Sequence, residues 1–281
     1  MWMLLVLFYG LSKGAREIVK KKAMTKNTVM EVLLFYTLLS FIMVLPQVPQ
    51  AGGLEGPFYF YIALKSFFIF LAWILSFRAL KKMPVSIYGI LDLSRVLFAT
   101  LLGVVILHES VSAMQGIGLV LVCLGLLMLK FNPGKSKERK ETVSYIYVLA
   151  AFGSCILNAI SGLMDKILMK DVSSAQLQVW YMLFLVGYYL IYVLVTKTKI
   201  SRSVWKNGYI WLLALLFVLA DKALFVANGY PESKLTVMTL IKQSGCIVTI
   251  LGGKLFFNEK NITYKLICAL IIVAGIVAAV L

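Results

Sequence analysis

Five ionisable residues lie deep inside long apolar runs of this 281-residue chain: Asp92, Arg95, Asp221, Lys222 and Lys242. A charge at the middle of a lipid-spanning helix costs at least ~2.5–3.5 kcal/mol, so such residues face a cavity, water or an opposite charge. At that depth carboxylates and cations are suited to holding the charged ends of a small solute or passing a proton. Asp92 and Arg95 stand at i,i+3, which keeps a second reading open, an ion pair internal to the bundle. Lys242 has no acidic neighbour on its own run and is the stronger candidate for a ligand contact. Asp221, Phe225 and Asn228 recur at i, i+4, i+7 and share one helix face, while Lys222 points about 100° away from it.

Other polar residues inside the runs carry weaker signals. Ser154, Asn158, Ser161 and Asp165 form a stripe that serves equally as cavity wall or as glue between helices. Asp165 and Lys166 read as an interfacial pair, and Lys13 and Lys65 as shallower cations able to snorkel. Trp73, Phe77, Tyr88, Trp180 and Tyr181 interleave with the charges, and their rings are suited to stacking on a planar or cationic group. Trp73 and Tyr88 sit deepest, whereas Trp205, Tyr209 and Trp211 read as an interfacial belt. No catalytic constellation is expected. The single histidine, His108, falls in a connector, so no His-based metal cluster forms, and no phosphate-cradling loop exists to hold a nucleotide. Cys123, Cys155, Cys246 and Cys268 lie within apolar runs without paired spacing and read as buried free thiols. The expectation is a chain that is not an enzyme and carries no metal or cofactor.

The elements that hold these residues follow from composition. The chain is 61% hydrophobic and 14% charged, with a mean hydropathy of +0.92. Soluble domains are about 45–50% apolar and roughly a quarter charged, so a soluble enzyme and a large extramembrane module are both excluded. Ten apolar runs occupy roughly 2–20, 29–48, 57–80, 84–107, 112–130, 144–168, 174–196, 205–228, 233–257 and 262–281. Each is close to the ~20 residues that cross a bilayer as a helix. The first run reads as a retained helix, since no small-residue cleavage site follows it. The net charge of +16 comes from Lys and Arg in connectors, where they orient spans beside anionic lipid, and nucleic acid is not expected as a partner.

A basic linker, 132–143, leaves five runs on each side, giving units at 1–131 and 144–281. Shifting the chain by 150 places Ser94 on Ser244, Gly103 on Gly253, Glu109 on Glu259 and Gly125 on Gly275. The same shift sets Asp92 opposite Lys242, so the two halves present opposite charges at equivalent positions. An odd number of spans turns the second unit over. The expected fold is an all-α membrane protein with ten transmembrane helices in two inverted five-helix repeats, as in many secondary transporters.

On these features the chain resembles the drug/metabolite transporter superfamily, of the EamA-like ten-helix type. In that family the fourth and ninth helices end at a Glu, matched here by the hinge residues Glu109 and Glu259. The resemblance implies a substrate cavity between the halves, lined by runs 1, 3, 4, 6, 8 and 9. Connectors after the odd-numbered runs hold twenty Lys and Arg against three in the others, which orients both termini outward, unlike the family's usual cytoplasmic termini. The expected function is secondary transport of a small polar, amino-acid-like or charged metabolite across the cytoplasmic membrane by alternating access, with a coupling proton or an exchanged solute. A lipid-linked sugar flippase or drug exporter of the same superfamily is the alternative, and a non-transporting receptor or intramembrane enzyme the reading from another class. The site residues expected are Trp73, Phe77, Tyr88, Asp92, Arg95, Asn158, Asp221, Phe225 and Lys242.

Overall fold

The computed structural model describes residues 1–108, 112–130, 144–259 and 261–280. Among these every regular element is a helix. Helices α1 (Trp2–Ala23), α2 (Val29–Val44) and α3 (Gly56–Lys82) are followed by α4 (Val85–Leu91) and α5 (Arg95–Leu107), which a single 3₁₀ turn at Asp92–Ser94 joins into one span. α6 (Ala113–Lys130) precedes the linker; Glu109 and the linker itself lie outside the described residues. The second part comprises α7 (Tyr145–Leu168), α8 (Ser174–Val195), α9 (Gly208–Asn228), the interrupted pair α10 (Leu235–Lys242) and α11 (Gly245–Phe257), and α12 (Ile262–Val280). Among the described residues, seven helical stretches are long and apolar enough to cross a membrane, and two further apolar stretches, Ala113–Gly125 and Ile262–Gly275, are shorter. α1 is also long, with 22 residues, but carries Lys13, Arg16, Glu17 and Lys20. Large apolar side chains such as Leu101, Val105, Leu194 and Leu255 stay exposed on the outside, the surface that acyl chains would cover.

Local chemistry sets the helix ends in corresponding ways. Thr28 with Glu31 and Ser173 with Gln176 form capping boxes that start α2 and α8. α5 and α11 both stop at a left-handed residue, His108 (φ 53°) and Asn258 (φ 50°), and just beyond Asn258 the N–H of Glu259 donates to the carbonyl of Gly253 at 3.1 Å. His108 is therefore a helix terminator. Packing also comes in matched pairs: α3 lies on α7 as α1 lies on α9, α5 on α7 as α1 on α11, and α4 on α11 as α10 on α5, while α6 runs along α12.

The closest approach brings α1 against the break between α10 and α11. A Cβ on Gly14 would collide with the carbonyl oxygen of Gly245, and one on Gly245 with that of Gly10. Backbone cannot yield as a side-chain tip can, so this crossing requires glycine. Gly14→Val is expected to destabilise the protein by about 1–3 kcal/mol, the usual range for overpacking. Thermal unfolding in detergent reads it, and an unchanged Tm would mean that α1 slides aside freely.

Three residues counted among the orienting connector charges are not at a surface. Arg16, Lys20 and Lys265 are buried. Arg16 and Lys20 belong to the inward face of α1, and Lys265 is held by Glu259 at 3.2 Å. The excess of basic residues after the odd-numbered runs keeps its sign without them.

Candidate functional site

The helices line a partly open cavity of about 80 Å³, with walls from α1, α2, α3, α4, α5, α7, α8, α9 and α10. Of the nine residues expected at a site, Trp73, Tyr88, Arg95, Asn158, Asp221, Phe225 and Lys242 line it. Phe77 does not. It is fully buried against Tyr36, ring centroids 6.2 Å apart, with the Lys20 ammonium 4.9 Å from its ring. Asp92 also stands behind the wall, in a small side pocket shared with Lys13 and Lys242.

The charges of the site are mostly paired across helices. Asp92 on the α4–α5 break accepts hydrogen bonds from Lys13 of α1 and from Arg95, the latter at 2.8 Å. Both sequence readings of Asp92 and Arg95 therefore meet in one place: they are an ion pair, and Arg95 is also cavity wall. Asp221 of α9 lies 3.4 Å from Arg16 of α1, a long contact for a charged hydrogen bond. Lys20 donates to Glu17 at 2.7 Å. Lys65 of α3, only 2% exposed, reaches Asp165 of α7 at 2.9 Å. That contact is one of charge, because Asp165 Oδ1 has no aligned hydrogen bond. The Lys65 ammonium also lies 3.6 Å from the Tyr181 ring centroid and 5.0 Å from that of Phe225. Lys242, 7% exposed, has no carboxylate within ion-pair distance among the described residues, and its nearest ring, Tyr9, is 5.7 Å away.

These pairings overturn several expectations. Lys13 and Lys65 do not snorkel: each is buried and neutralised by a carboxylate on another helix. Asp165 and Lys166 are not a pair, because successive residues on a helix diverge by about 100°. Asp165 turns inward to Lys65, whereas Lys166 donates to the carbonyls of Asn228 and Tyr230 and to Ser233 Oγ. Lys222 crosses to Gln47, donating at 2.6 Å. Tyr36 and Tyr181 add walls from α2 and α8 that the sequence did not single out as cavity helices. Arg16, Glu17 and Lys20 also line the cavity. Their signal was the spacing Lys13, Arg16, Glu17, Lys20, which is i, i+3, i+4, i+7 along one face of an otherwise apolar helix.

Trp73 packs against Tyr36 and Phe217, with centroids at 5.3 and 5.1 Å, and makes one side of the cavity aromatic. The opposite character comes from α1, α5 and α10, which supply Lys13, Arg95 and Lys242. No group of three or more His, Cys, Asp or Glu among the described residues is arranged to hold a metal. All four cysteines are free.

Fold and site together define a multi-pass helical membrane protein with a charged internal cavity. Residues 1–131 match the EamA-like transporter family. The resemblance read in the sequence is supported over that stretch: residues 1–131 carry an EamA-like transporter unit, consistent with the drug/metabolite superfamily, within a chain whose helices are long and apolar enough to cross a membrane. The fold is also similar to that of another protein solved by crystallography, with a TM-score of 0.70 at 13% identity, covering 97% of this chain and 98% of that one. No curated protein matches the sequence.

Proposed function

We propose that this protein is a secondary transporter of a small polar metabolite in the cytoplasmic membrane, working by alternating access. In this reading 1–131 and 144–281 are inverted five-helix repeats joined by the 132–143 linker, with α4–α5 and α10–α11 each acting as one broken span. Matched packing supports it, since the contacts of α3 on α7, α5 on α7 and α3 on α8 have counterparts in α1 on α9, α1 on α11 and α2 on α9. The observation that carries the function is the cavity itself: buried charges from both units meet where an apolar bundle would exclude them. Charges held in cross-helix pairs suit a polar solute better than an apolar drug. A coupling proton or an exchanged solute supplies the driving force, as no nucleotide site is expected from the sequence.

A test that needs no substrate uses Thr239, which is buried in the cavity wall on α10. Thr239→Cys is expected to react with a membrane-impermeant maleimide in both right-side-out and inside-out vesicles, above the background of the native thiols. Modification from one side only would contradict alternating access and favour a receptor or an enzyme.

A further inference from the structure

The ion pairs of the cavity do not balance. Three carboxylates, Glu17, Asp165 and Asp221, each hold one cation. Asp92 holds two, Lys13 and Arg95. Lys242 holds none. Six cations thus face four carboxylates, and the two surplus positive charges fall among Lys13, Arg95 and Lys242, all three of which line the cavity. Such a surplus in a membrane interior is costly without counterions.

We propose that the counterion is the ligand: the cavity binds an organic oxyanion, carboxylate or phosphate ester, whose negative charge exceeds its positive charge. This rests on the transport reading above and sharpens it to a substrate class. Lys242 is the first contact, because among the described residues it is the cavity lysine with no carboxylate of its own, and it lines both the main cavity and the side pocket beside Asp92. Arg95 is the second. It enters the cavity from the first turn of α5 while one of its guanidinium nitrogens is engaged by Asp92, and its Nε has no hydrogen-bond partner. A planar oxyanion can accept from a guanidinium and an ammonium together. The aromatic wall at Trp73 and Phe217 leaves the uncharged part of the ligand an apolar surface. Cationic metabolites fit poorly, since each cavity carboxylate already has a partner. A zwitterion of zero net charge leaves the surplus in place.

The test is binding to the purified full chain in detergent at fixed ionic strength, with succinate, glycerol 3-phosphate, alanine and putrescine as probes. At least one of the two anions is expected to bind at least about tenfold tighter than alanine or putrescine, and which one does so separates carboxylate from phosphate recognition. Lys242→Met is expected to weaken that binding about tenfold or more without lowering the Tm of the unliganded protein, and Lys242→Arg to preserve the preference for anions. Equal or tighter binding of alanine or putrescine overturns the proposal, as does binding of no probe, or unchanged anion affinity in Lys242→Met. The wild-type selectivity decides the matter where a variant does not fold. Anion binding without two-sided labelling of Thr239→Cys would retain the ligand class and remove transport; two-sided labelling without anion selectivity would do the reverse.

Discussion

Asp92→Asn is expected to lower the stability of the folded protein by about 3–5 kcal/mol, the cost of breaking a buried ion pair from one side. Asp92 is 5% exposed and is the counterion of both Lys13 and Arg95. An amide keeps the shape of the carboxylate but removes its charge, so two cations remain together in a medium that solvates neither. The amide NH₂ would also point a donor at one of two groups that only donate. Lys13→Met in the same chain is expected to recover a substantial part of the loss, because it removes one of the stranded charges along with its partner. The four-member cycle of wild type, two single variants and the double variant isolates this coupling. Thermal unfolding in detergent measures it. A single variant as stable as wild type would show that water in the cavity, and not Asp92, neutralises Lys13 and Arg95.

Hydropathy is a local property, and what depends on it was legible in the sequence. The fourth run at 84–107 meets α4–α5 at Val85–Leu107, and the ninth at 233–257 meets α10–α11 at Leu235–Phe257. The 150-residue register, found from Ser94 and Ser244, turns out to mark the two helix breaks themselves, which hydropathy does not reveal. Seven of the nine expected wall residues were accessible for a related reason: a polar or charged residue within an apolar run has few places to go. Phe77 fails because Tyr36 and Lys20, which do line the cavity, cover its ring. Pairings were not legible. Lys65 meets Asp165, and Arg16 meets Asp221, across long stretches of chain that only tertiary packing brings together. Arg16 and Lys20 were obscured by their neighbours Lys21 and Lys22, since the basic run resembles a connector unless its 3.6-residue period is examined first.

Glu259 was expected as a hinge of the second unit, and its surroundings predict a second large effect of a different kind. α4 begins at Pro84, which offers no side-chain acceptor to the first turn. The Glu259 carboxylate, from beyond the end of α11, takes that role. It accepts from the amides of Val85 at 2.7 Å and Ser86 at 3.3 Å and from the Ser86 hydroxyl. A carboxylate there satisfies donors that the helix cannot pair internally and lies at the positive end of its dipole. Lys265 of α12 completes the cluster, donating to Glu259 at 3.2 Å and to Ser86 Oγ at 2.6 Å, with both charged side chains 8% exposed. The residue therefore clasps α4 to the α11–α12 corner and opposes motion there. Glu259→Gln is expected to cost about 3 kcal/mol, because charged hydrogen bonds are lost and Lys265 is left buried without its carboxylate. Lys265→Met should cost less, since the cap on Val85 and Ser86 survives, and the double variant should be more stable than Glu259→Gln alone. Hydrogen exchange separates the clasp from general stability. Amides near the start of α4, at Val85 and Ser86, should exchange much faster in Glu259→Gln, while those of α2, whose Thr28–Glu31 cap is independent, keep their protection relative to global unfolding. Unchanged exchange at Val85 and Ser86 would show that the first turn of α4 is held by its tertiary packing on α11, with Glu259 contributing nothing to it.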